Sequence, residues 1–133
     1  MLVIELDLLL GFVNSRDPLH QVACEFFERV ARGEFEEVRV AASALLEYEF
    51  VLSSRGLDAG RDILSFKAIP NLGEAPITAE VLVKASELRK VYGLTYFDSL
   101  HAATALLLDK KLVSTDREFR RVKELQVVDP RSL

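Results

Sequence analysis

Short apolar, β-branched runs alternate along this chain with longer stretches of helical period, which narrows the folds open to it more than any other feature. Residues 2–6 (LVIEL), 37–41 (EVRVA), 112–115 (LVST) and 126–128 (QVV) have the length and composition of strands. Between the first two, Leu19, Val22, Ala23, Phe26, Phe27 and Val30 recur at the spacing of an amphipathic helix, with Gly33 placed to stop it. A second helix is expected from Ser43, as N-cap, to about Ser54, with Gly56 beyond it. A third starts at Asp58 and ends before Pro70. Thr78 caps a fourth, whose apolar face is Val81, Leu82, Ala85, Leu88 and Tyr92 and which Gly93 closes. Thr95 and Asp98 form a capping-box-like pair opening a helix through Leu108. A short basic helix separates the last two strands, and Pro130 ends the regular structure. Such alternation predicts one α/β domain over residues 1–133, with a small, mostly parallel sheet flanked by helices.

With 133 residues, half of them hydrophobic and 29% charged, the chain can bury a core and is too apolar for disorder. No apolar run reaches the roughly 18 residues that span a bilayer. Glu5 and Asp7 interrupt the apolar start where a signal peptide would be uniform, so a cytoplasmic protein without membrane contact is expected. The lone Cys24 excludes an internal disulfide and a thiolate metal cluster. A net charge of −4 taken alone opposes nucleic-acid binding. The average conceals a basic run, however: Lys110, Lys111, Arg117, Arg120, Arg121 and Lys123. Two bound divalent cations would offset the acidity. A solvated helix face is the plainer reading of that run.

Four acids stand beside apolar segments, where a carboxylate is costly unless a cation compensates it. They are Glu5 in LVIELDLLL, Glu47 in SALLEYEFVL, Asp98 in YFDSLHAATALLL and Asp116 in KLVSTDREF. Glu5 lies near the carboxyl end of the first strand and Asp116 just past the third, where parallel sheets bind ligands. Glu47 and Asp98 fall in the first turn or so of helices, whose N-termini favour an ionised carboxylate. Together they look like oxygen ligands of one hard divalent cation, Mg²⁺ or Mn²⁺ rather than zinc. Asp7, two residues after Glu5, would leave the same face of an extended backbone. Duller roles exist for each. Asp98, Asp116 and Asp7 suit helix caps, and Glu47 suits a solvated face, although Leu46 and Phe50 beside it argue against full exposure. Glu49 is its alternative. His101, three residues after Asp98, suits a general base, a phosphate contact or packing at the helix edge. Tyr96 and Phe97 suit base stacking, or core packing in the case of Phe97.

YFDSLHAATALLLDKKLVSTDREF, with the acid-bearing SALLEYEFVLSSRG, resembles the PIN domain and, within it, the VapC-like ribonucleases of prokaryotic toxin–antitoxin pairs. The resemblance covers nearly the whole chain and implies a three-layer PIN-like fold. It places Glu47, Asp98 and Asp116 on the family's metal-binding acids, Ser114 on a small hydroxyl position and Phe119 on a core aromatic. At the N-terminus the family's Ile-Asp-Thr-Asn is replaced by Ile4, Glu5, Leu6 and Asp7, so the first acid is one methylene longer. The implied activity is a Mg²⁺- or Mn²⁺-dependent endoribonuclease leaving a 5′-phosphate and a 3′-hydroxyl. Glu5, Glu47, Asp98 and Asp116 would hold the metal and carry catalysis, with Asp7, Ser114 and His101 accessory. Arg117, Arg120, Arg121 and Lys123 would attract RNA. Implied partners are a small antitoxin and a second copy of the chain, with residues 19–31 and 43–68 as candidate surfaces. The longer Glu5 leaves an alternative open, a PIN domain of weakened catalysis that serves as a binding or assembly module.

Overall fold

A computed structural model describes residues 1–133. Five strands form one sheet: β1 (Leu2–Ile4), β2 (Val38–Ala41), β3 (Leu72–Ala75), β4 (Lys111–Val113) and β5 (Gln126–Val128). Their order is β3-β2-β1-β4-β5, and every neighbouring pair is parallel. Parallel neighbours need crossovers. Six helices supply all but the β4–β5 crossover: α1 (Leu6–Val13), α2 (His20–Ala31), α3 (Ala42–Ser53), α4 (Gly60–Lys67), α5 (Ala79–Tyr92) and α6 (Tyr96–Leu106). Short 3₁₀ turns cover Arg117–Arg121 and Pro130–Ser132. No helix is long and apolar enough to cross a membrane.

β1 is the central strand, with Ile4 opposite Val40 on one side and Val113 on the other. From β1 the chain builds outward through β2 and β3, then returns to lay β4 and β5 on the far side. The reversal between β1 and β4 is a topological switch point, where a crevice opens at the carboxyl ends of the strands. Ile4, Leu112 and Val113 are fully buried there, packed with Leu8, Leu9, Leu100 and Phe119.

Several boundaries depart from expectation. The first strand stops at Ile4, and Glu5 caps α1, so Glu5 and Asp7 do not share an extended backbone. The helix was hidden because LDLLLGFV, Asp7 apart, is apolar almost throughout and shows no polar stripe to mark a helical period. Leu8 and Leu9 are inaccessible. A Cβ on Gly11 would stand 3.1 Å from Leu19 Cβ and 3.3 Å from Ala23 Cβ, so glycine allows α1 and α2 to approach. β3 was also unforeseen. Its LGEA exposes both middle residues, leaving no apolar alternation, and pairing with the open edge of β2 defines it. The third expected strand ends at Val113 rather than residue 115, and Pro130 opens a 3₁₀ turn instead of ending regular structure. Ala41, not Ser43, occupies the N-cap of α3. Asp58 Oδ1 accepts from the Gly60 amide at the start of α4, though Ala59 is the N-cap. The expected caps of α5 and α6 are present: Thr78 accepts from Val81 N, Thr95 accepts from Asp98 N, and Gly93 adopts φ 67°.

Buried Tyr48 packs edge-on against Phe66, with ring centres 5.2 Å apart, and its hydroxyl donates to Asp62 Oδ2 at 2.6 Å. This ties α3 to α4, and burial pushes the phenol well above its ordinary pKa. Tyr48→Phe removes the bond and leaves Asp62 short of a donor. Urea unfolding of that variant is expected to show a loss of about 1 kcal/mol, with an unchanged denaturant slope.

Candidate metal centre

The topology brings the acids to one edge of the sheet. β1 and β4 are parallel neighbours, so Glu5 and the segment Ser114–Thr115–Asp116 leave the sheet side by side. α3 begins directly after β2, which keeps its first turns, and hence Glu47, at that edge. α6 leads back toward the start of β4, so its N-terminus, with Asp98 in the first turn, lies there as well. Ligand atoms of Glu47, Asp98 and His101 all lie within 4.8 Å of one another. Asp116 is close enough for its charge to act on Asp98. Glu5 reaches the same bay through Ser114, whose hydroxyl donates to Glu5 Oε2 at 3.1 Å and accepts from Asp116 N at 3.0 Å.

Electrostatics in this bay are unbalanced. Burial, above all, pushes the Glu5 carboxyl well above the usual carboxylate range, and the charge of Asp7 adds to that. Hydrogen bonds from Asp7 N (2.6 Å to Oε1) and Ser114 oppose the shift without cancelling it. Asp98, half-buried, is also raised: burial is the largest cause, Asp116 and Glu47 contribute, and His101 and Thr95 oppose. Asp7 Oδ2 accepts from both the amide (2.8 Å) and the hydroxyl (2.9 Å) of Thr115, whereas Asp7 Oδ1 is buried without any donor. No lysine or arginine forms an ion pair with Glu5, Asp7, Glu47, Asp98 or Asp116. Crowded, uncompensated carboxylates with one orphaned oxygen suit a hard divalent cation.

The sequence matches the family model of the PIN domain over residues 8–125. The chain belongs to the PIN domain family. Solved structures agree in fold. A VapBC2 complex from Rickettsia felis bound to a promoter DNA fragment contains a chain matching at TM-score 0.72 and 15% identity, over 96% of each chain. VapC20 of Mycobacterium tuberculosis, a Sarcin-Ricin loop cleaving toxin, matches at TM-score 0.69 and 16% identity, over 91% of this chain and 94% of that one. FitAcB from Neisseria gonorrhoeae matches at TM-score 0.68 and 13% identity over the full length of both. No protein of curated function is significantly similar in sequence.

In this PIN domain the candidate residues are not equivalent. Glu47 is half-buried as expected, yet Leu46 and Phe50 beside it are exposed, so its burial comes from facing α6 rather than from those neighbours. His101 does not pack at a helix edge. It is completely buried, with Nε2 2.7 Å from Glu47 Oε1 and Nδ1 2.7 Å from Ser43 Oγ. The site is therefore not purely carboxylate in its immediate surroundings. The basic run is also divided. Arg121 donates to Tyr92 O and pairs with Glu118, and Lys123 borders a hollow on α5 with Tyr92 and Glu87. Arg117 and Arg120 are exposed in the 3₁₀ turn just after Asp116, free of ion pairs. Ser43 and Thr115 were missed as site residues. Ser43 reads as a cap, and Thr115 has no sequence signal apart from adjacency to Asp116.

Proposed function

We propose that this PIN domain is a Mg²⁺- or Mn²⁺-dependent endoribonuclease of the VapC-like toxin type. One observation carries the reading: Glu47 and Asp98 offer ligand atoms within 4.8 Å of each other, Asp116 is near enough for its charge to act on Asp98, and no lysine or arginine pairs with any of the three. Glu47 and Asp98 would hold the ion, with Asp116 and Glu5 completing its acidic surroundings. When bound, such an ion activates water and stabilises charge developing on a phosphoryl group. Asp116, exposed and capping the 3₁₀ turn through Oδ1, would help to orient an attacking water. Arg117 and Arg120 are the cations best placed to attract an RNA backbone. Single-stranded segments of structured RNA are the substrate class, because the bay requires an accessible phosphate. VapC20, similar in fold, is described as cleaving the Sarcin-Ricin loop.

Partners in this reading are a small antitoxin, whose tail would cross the acidic bay, and a second copy of the chain. Structures of toxin–antitoxin complexes among the fold relatives support it. Exposed Leu46, Phe50 and Leu64 offer apolar surface on α3 and α4.

The experiment is cleavage of single-stranded RNA with Mg²⁺ or Mn²⁺ added. Products are expected to carry a 5′-phosphate and a 3′-hydroxyl, and EDTA is expected to abolish them. Cleavage indifferent to EDTA would reject the reading.

A further inference from the structure

We propose that His101 is a positioning residue that fixes the Glu47 carboxylate, and that Ser43 sets its tautomer. The inference rests on the metal reading of Glu47 given above. Two helices meet here, α3 carrying Ser43 and Glu47 and α6 carrying His101: Ser43 and His101 have no exposed surface, and the Glu47 side chain is 20% exposed. His101 Nε2 lies 2.7 Å from Glu47 Oε1, so the ring must present a proton there to an acceptor-only carboxylate. A ring nitrogen that donates its proton is not a metal ligand, which places His101 behind Glu47 rather than on the ion. Nδ1 lies 2.7 Å from Ser43 Oγ, and that hydroxyl makes no other hydrogen bond. If Nδ1 also carried a proton, the buried Ser43 hydroxyl proton would have no acceptor, a costly arrangement. Ser43 therefore donates to Nδ1, and the ring is held as the Nε2–H tautomer.

The consequence for Glu47 is geometric. Oε1 is engaged by His101, which leaves Oε2 as the freer ligand atom of a carboxylate that lies close to Asp98. Without that donor, a half-buried glutamate on a helix surface has several rotamers open to it. Partners of this kind, which orient ligating groups, typically change metal affinity by about 10–100-fold when removed.

The test uses the whole chain and calorimetric titration with Mn²⁺. His101→Leu keeps apolar volume and removes the donor. Its Mn²⁺ dissociation constant is expected to rise about 10-fold or more. His101→Gln can place an amide N–H near the Nε2 position and is expected to restore most of the affinity. In the wild type, ¹⁵N imidazole spectra are expected to show a protonated Nε2 and an acceptor Nδ1. Thermal melts without metal identify any variant that has lost its fold, in which case the spectrum decides. Equal Mn²⁺ affinity in wild type and His101→Leu would overturn the inference alone, as would folded Leu and Gln variants equally impaired or a ring protonated at Nδ1. A wild-type chain that binds no Mn²⁺ would overturn the metal reading, and this inference with it.

Discussion

Replacing Asp98 by Asn is expected to lower RNA cleavage by about 10²–10³-fold, the scale seen when one preorganised electrostatic group is lost from a reaction centre. The same change is expected to leave the metal-free chain at least as stable as the wild type. Asp98 is pushed up by burial and by the charges of Asp116 and Glu47, so its ionised form weakens the fold in the absence of an ion. The cap of α6 survives the substitution, because the Thr95 hydroxyl accepts from the backbone amide of residue 98 and not from its side chain. A merely structural Asp98 would give the opposite pattern, with stability and cleavage falling together. Initial cleavage rates and thermal melts on the same preparation separate the two.

The second large effect concerns pH. Glu5 and Asp98 both have folded-state pKa values above the unfolded ones. Between the ordinary carboxylate pKa, about 4, and the raised values, the folded chain holds protons that the unfolded chain has released. Stability therefore falls as pH rises through that window and levels off above it. Metal-free protein is expected to melt at lower temperature at pH 8 than at pH 5, and Mg²⁺ or Mn²⁺ should recover the loss at the higher pH. Asp129, pulled down to about 2 chiefly by its bond to Arg131, acts in a separate acid window: its contribution is complete near neutrality and lost as pH falls below about 4. Arg131 is exposed and a fifth of the Asp129 side chain meets water, so solvent screens the pair and the effect is small. Glu5→Gln removes the main titrating group. It is expected to flatten the fall in stability above the ordinary carboxylate pKa and to leave the metal-free chain more stable than the wild type at pH 8. Melting temperatures that climb from pH 5 to pH 8 in EDTA would contradict this.

Much of the fold was legible in the sequence because its signals are local. Val22, Phe26 and Val30 mark α2 by period alone, and Thr78, Gly93 and Thr95 mark helix ends by backbone chemistry. Asp98 and Asp116 were legible as polar residues beside buried runs. What escaped was set by tertiary context. Apart from Asp7, α1 is apolar almost throughout, so periodicity could not distinguish it from the strand before it. β3 exists because β2 has an open edge, not because LGEA prefers extension. The burial of His101 depends on a serine 58 positions away, and the orphaned oxygen of Asp7 depends on Thr115, 108 positions away. Separations of that size leave no trace in a window of neighbouring residues.

The most direct measurement is anomalous scattering from a crystal soaked in Mn²⁺. A peak is expected in the bay at the carboxyl edge of the sheet, within ligand distance of Glu47 and Asp98, with His101 behind Glu47 and off the ion. A well-ordered crystal whose manganese peak avoids both carboxylates, or that shows none at saturating Mn²⁺, would contradict the account.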